Sequence, residues 1–182
     1  MSIVYTDAQL ALQGRLEAAN INPASFLATD YLNHYNEIVM LLEMLPDMPD
    51  MIEDCDDWAP KSYVQHFEDS GFTAKKLAIE AYGIAPDVIR KPFEAICAKL
   101  DKLIVGTVAG LHKVGAAERG LTGDAAALIK ARIEQVQGML MTLNQLIHGK
   151  LEGVKAATKA EIVDHAEEEA AQTQADIDKL FD

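Results

Sequence analysis

Apolar residues recur along this chain at steps of three and four rather than two, the spacing of helices that bury one face. The clearest row is Ile129, Ile133, Val136, Leu140, Leu143 and Ile147, stepping by 4, 3, 4, 3 and 4. Phe93, Ile96, Leu100, Leu103, Thr107, Gly110 and Val114 keep the same rhythm, as do Leu27, Tyr31, His34, Ile38, Leu41 and Leu45. A fourth row, Val163, Ala166, Ala170, Thr173, Ile177 and Leu180, is poorer in large side chains. Period-2 alternation and Asn-Gly hairpin signals are missing, so no strand is expected.

Cap signals set the expected boundaries. Asn22-Pro23 reads as a helix start and Pro46 as a stop, giving a helix over 23–45. Ser62 caps a short helix over 63–70, and Thr73 caps one over 74–83 with Gly83 as its left-handed terminal residue. A first amphipathic helix is expected over 6–19, and longer ones over 87–117 and 123–148, the latter opened by Thr122 and Asp124. Thr158 and Glu161 form a capping box ahead of a last helix over 159–181. "PDMPDMIEDCDDWAPKS" reads as a connection or a short helix from Pro49, with Trp58 anchoring it on the bundle. Gly106, Gly110, Gly115 and Gly138 are costly inside helices and mark expected close approaches. The sum is an all-α chain: one domain over 1–182, an up-and-down four-helix-type bundle with shorter helices inserted between the first two long ones.

Composition narrows the partners. The net charge of −13 repels phosphate backbones, so nucleic acid is not an expected partner. No secretory leader is evident, and the longest apolar run, "LIVGTVAGL", is too short to span a bilayer. Cys55 and Cys97 stand far apart and form no disulfide framework, which points to a reducing, cytoplasmic setting.

One stretch carries candidate chemistry. In "TDYLNHYNEIVMLLEML", His34 lies on the apolar row with Asp30 and Glu37 at i−4 and i+3, hence on the same side. Glu161, His165 and Glu168 repeat that spacing in the last predicted helix. Were the two helices neighbours, these six residues could hold a transition metal such as iron, manganese or zinc. The competing reading makes His34 a hydrogen-bonded histidine at the core, with its polar neighbours satisfying one another. The Glu-x-x-His spacing of di-iron carboxylate bundles does not occur, nor does His-x-x-x-His.

Elsewhere the signals are blander. Asp47, Asp50, Glu53, Asp54, Asp56 and Asp57 read as a solvated acidic connector; a docking patch for a basic partner or a calcium site are the alternatives. Met40, Met44, Met48 and Met51 form an apolar strip suited to core filling or partner binding. Cys55 lies among carboxylates that blunt a thiol, and no Gly-rich phosphate loop appears. The expected function is therefore non-enzymatic: protein–protein contact, with self-association through the Ala-rich last helix and its Leu180–Phe181 end. The alternative is a metal-binding His/carboxylate bundle with redox or hydrolytic activity; a carrier with a pocket lined by Tyr31, Tyr35 and Met44 is a third reading.

Overall fold

A computed structural model describes residues 3–121 and 123–151. Every regular element among them is helical, and none of these helices is long and apolar enough to cross a membrane. The Thr122 cap, the Thr158–Glu161 capping box and the helix expected over 159–181 lie outside the described residues.

Two helices begin on a reciprocal side-chain cap. In α1 (Asp7–Leu16), Gln9 N–H donates to Thr6 Oγ1 at 3.3 Å and Thr6 N–H donates to Gln9 Oε1 at 2.8 Å. Ser62 and Gln65 make the same reciprocal pair at the start of α4 (Tyr63–Asp69). The start expected at Asn22-Pro23 is overturned, because α2 runs only over Leu32–Met44, behind a 3-10 turn at Thr29–Tyr31. Asn22 Oδ1 accepts from the Ala24 and Ser25 amides and closes a local turn instead. Phe26, fully buried at φ +67°, then turns the chain out of any helical path.

The other elements are α3 (Ile52–Cys55), α5 (Lys75–Gly83), α6 (Asp87–Lys113), α7 (Ala116–Arg119) and α8 (Gly123–Ile147). Ala74, not Thr73, occupies the cap position of α5, and Gly83 is its last helical residue rather than a left-handed one. α6 stops short of 117 because Gly115 takes φ +65° and starts a new turn. α8 ends as expected: Gly149 at φ +73° lets its own N–H reach Leu146 O (2.8 Å) and Lys150 N–H reach Gln145 O (2.9 Å).

The buried row of α8 matches the expected one except that Leu140 is half-buried and Ala125 and Leu146 are buried as well. In α6 the buried row is Ile89, Phe93, Cys97, Leu100, Ile104, Thr107 and Leu111, shifted by a residue from the expected row at Ile96, Leu103 and Gly110. The buried stripe keeps the 4, 3 rhythm and differs only in phase, which is set by the elements packed against α6 rather than by its own periodicity. Gly106 and Gly138 differ from another expectation: a Cβ built on either meets nothing within 4 Å among the described residues, so no described neighbour crowds them.

α8 packs against both α6 and α2, and α4 stacks on α5, which also touches α1. Tyr35 of α2 donates its hydroxyl to Asp101 Oδ1 of α6 at 3.0 Å, tying these two helices. Their shared core is aromatic. Tyr31 lies within ring contact of Tyr35, Tyr63, Phe93, His34 and His66.

Candidate functional site

α2 and the chain leading into α4 enclose an open cleft of about 350 Å³ lined by Asn33, His34, Asn36, Glu37, Met40, Lys61 and His66. Asn33, His34, Asn36 and Glu37 of "DYLNHYNE" thus line one cleft. The bonds of His34 and one of Asp30, however, reach another segment, while the Asn33–Asp30 and Tyr31–Tyr35 contacts stay within the stretch.

His34 is buried. Its Nε2 accepts from the Lys61 backbone N–H at 3.2 Å, its carbonyl accepts from Trp58 Nε1–H at 2.8 Å, and its ring stacks on the indole at 4.9 Å and 19°. Tyr31 adds a third tie, donating its hydroxyl to Lys61 O at 2.8 Å. These bonds strap residues 58–61 onto α2. Pro60 disfavours helix at Ala59, and Ser62 restarts helix just beyond, so the strap is extended by its own sequence. Trp58 therefore anchors the segment as expected. Because Nε2 accepts a hydrogen bond, the neutral ring carries its proton on Nδ1. Burial lowers the imidazole pKa to about 4, and the nearby His66 and Lys61 charges push the same way.

Asp30 turns away from His34. Its Oδ2 lies 3.1 Å from His66 Nε2, and its Oδ1 accepts from Asn33 Nδ2 at 3.3 Å. Glu37 is exposed on the cleft wall. His66, not singled out by its sequence context, is the histidine of this cleft that pairs with a carboxylate, its ring centroid 6.2 Å from that of His34. The capping box at Ser62 fixes the phase of α4 and so aims Tyr63, His66 and Phe67 inward; that was the one signal available in the sequence.

Beneath the cleft, the Tyr31 and Tyr35 hydroxyls lie 3.4 Å apart, their protons already committed to Lys61 O and Asp101. Burial raises both phenol pKa values and that of Asp101. Burial likewise pushes the Cys97 thiol up to about 12 and the Cys55 thiol to about 11, the latter helped by Asp56 and Asp54. Neither is an activated nucleophile. Lys61 Nζ is held by Asp69 at 2.8 Å. Among the described residues no three His, Cys, Asp or Glu side chains stand close enough to hold a metal ion. Of the expected ligands, His34 and Glu37 line the cleft, Asp30 pairs with His66 and is not part of that lining, the three do not converge on one point, and Glu161, His165 and Glu168 lie outside the described residues. The cleft presents two amides, two imidazoles, a carboxylate, a lysine and a thioether. Comparison with protein families, with curated proteins and with solved structures returns no match for this chain.

Proposed function

We propose that this protein acts by protein–protein contact, without chemistry of its own, and that its partner is a second copy of the chain. One observation carries the reading. Met40, Met44 and Met48 follow one another at single-turn spacing and stand 63%, 36% and 41% exposed, with Met141 of α8 at 65%. α8 is the neighbour of α2, and Gln137 Nε2 donates to Glu43 Oε1 at 2.7 Å between them. Thioether side chains adapt to many surfaces, and a row of them continuous with the cleft through Met40 suits a self-complementary interface. Size-exclusion chromatography with light scattering tests this: the dimer should fall to monomer in Met40→Asp/Met141→Asp. A monomer before any substitution sinks the reading. The two buried free thiols fit a reducing compartment, the cytoplasm. The reading retains the up-and-down four-helix arrangement, with α2, α6 and α8 as three long helices and 159–181 as the fourth.

Metal binding is the second reading, favoured by the neighbouring rings of His34 and His66 and by the Asp30 carboxylate paired with His66. It requires His34 Nε2 to release the Lys61 amide, and it draws on Glu37 and on Glu161, His165 and Glu168 for further ligands. Elemental analysis of protein purified without chelator decides it: near-stoichiometric iron, manganese or zinc, lost in His34→Ala, is the expected result. Trace metal unaffected by the substitution ends it.

A further inference from the structure

Four of the five tyrosines and the only tryptophan of the chain stand in one unbroken line of ring contacts. Trp58 of the strap lies 6.3 Å from Tyr35, and Tyr35 lies 5.7 Å from Tyr31, one turn earlier on the same face. Tyr31 lies 5.3 Å from Tyr63 of α4, and Tyr63 stacks on Tyr82 of α5 at 4.6 Å and 17°. Each step falls within the about 4.5–7 Å over which aromatic rings touch. The His34 ring flanks the widest step, 4.9 Å from the indole and 5.2 Å from Tyr35. The line begins and ends near solvent: Trp58 and Tyr82 are half-buried, whereas Tyr31, Tyr35 and Tyr63 are buried. Tyr5, in contact with Phe26, stands outside it.

Indoles and phenols lose a single electron readily, and electrons tunnel efficiently between rings in contact. A phenol that loses an electron becomes strongly acidic and comes to rest as a neutral radical only by handing its proton to a base. Two of these phenols have one. Tyr35 donates to Asp101 Oδ1 at 3.0 Å, and Tyr82 donates to Glu94 Oε1 at 2.8 Å. Burial raises the Asp101 pKa and so strengthens it as a base. Tyr31 donates to the Lys61 carbonyl, and the Tyr63 hydroxyl accepts from Ala28 N–H at 2.9 Å, so these two rings are bridges rather than resting points.

We propose that Trp58, Tyr35 and Tyr82, bridged by Tyr31 and Tyr63, relay a one-electron oxidising equivalent from the strap through the core to α5. The oxidant is a small diffusible radical, and the final reductant is a soluble donor of the ascorbate or thiol class. The radical takes one electron from Trp58, whose Nε1 proton goes to water. Tyr35 then reduces the indolyl radical and passes its own proton to Asp101, while Trp58 regains a proton from water. Tyr82 in turn reduces the Tyr35 radical across Tyr63 and Tyr31. Its proton goes to Glu94, and Asp101 returns the Tyr35 proton. The Tyr82 radical finally takes an electron from the reductant and its proton back from Glu94, so the chain ends unchanged. The relay conducts an equivalent made elsewhere; it goes beyond the self-association reading and does not depend on it.

Pulse radiolysis of the full chain with azidyl radical, which oxidises indole in preference to phenol, tests the route. Indolyl absorption should decay in a first-order phase independent of protein concentration while phenoxyl absorption grows by the same amount. Tyr35→Phe keeps the ring, removes the hydroxyl and should abolish that phase. Asp101→Asn should slow it, and Tyr5→Phe should leave it unchanged. In Tyr82→Phe the phenoxyl radical should form at the unaltered rate but persist when ascorbate is added, because it is confined to buried Tyr35. Circular dichroism of each variant reports whether the helices are intact. An indolyl radical lost only through concentration-dependent encounters overturns the relay. A first-order phase that survives both Tyr35→Phe and Asp101→Asn overturns this route through the core. A Tyr82→Phe phenoxyl radical that ascorbate removes as fast as in the unaltered protein overturns the exit at α5.

Discussion

At the scale of the residue, His34 controls the most consequential equilibrium in the cleft. A free imidazole titrates near 6.5, whereas burial holds this one to about 4. Between those values the unfolded chain binds the proton that the folded chain refuses, so the stability contributed by neutral His34 is whole above about 6.5 and drains away as pH falls toward 4. The shift corresponds to a loss on the order of 3 kcal/mol. Urea titrations at pH 7 and pH 4.5 should show the gap narrowing in His34→Gln, whose amide oxygen can still accept from Lys61 N–H. An unchanged gap would place the acid lability in other groups. Sequence alone carried half of this. The row Tyr31, His34, Ile38 put the imidazole on the buried side, and the polar neighbourhood announced hydrogen bonding. It could not say that an amide 27 residues away would be the donor, because no local periodicity encodes it.

At the scale of the element, helix ends were legible wherever one side chain decides them and illegible where two local structures compete for the same side chain. Ser62 capped as expected, the first helix opened at Thr6 where its start was expected, and Gly149 stopped α8. Asn22 suits a turn as well as a helix start, and here the turn prevails because residues 22–26 are held from outside. Ser25 Oγ donates to Ile147 O, Tyr5 donates to Ala24 O at 3.0 Å, and Gln13 Nε2 donates to Pro23 O at 2.8 Å. The turn and the end of α8 are thus one joint. A Cβ on Gly149 would stand 2.9 Å from Ala24 Cβ and would also oppose the φ of +73°. Gly149→Ala should therefore destabilise by about 2 kcal/mol or more. Gly138→Ala, exposed in mid-helix with open space beside it, should stabilise by ~0.5–1 kcal/mol. Chemical denaturation of the two variants compares them directly, and equal midpoints would refute the joint.

At the scale of the whole molecule, the all-helical class followed from periodicity. The meeting of faces did not, since heptad rows fix which side of a helix is buried and not which helix covers it. α6 illustrates the point: a buried row displaced by one residue serves neighbours that the sequence never named. Burial on this scale also silences both thiols. Cys55 and Cys97, pushed up to about 11 and about 12 chiefly by burial, should resist a disulfide-exchange reagent at pH 8 in the native protein. Both should react together on unfolding, with one rate. Early reaction of one alone would reveal a separately opening region. Finally, the ring stack between Trp58 and His34 makes the cleft visible from outside. Trp58 is the only indole in the chain, so selectively excited emission comes from a single fluorophore lying flat on a single titrating ring. An imidazolium quenches a stacked indole far better than neutral imidazole does. Emission should therefore stay bright through the ordinary histidine range and dim only near pH 4, and a second copy or ligand entering the cleft would register in that same light.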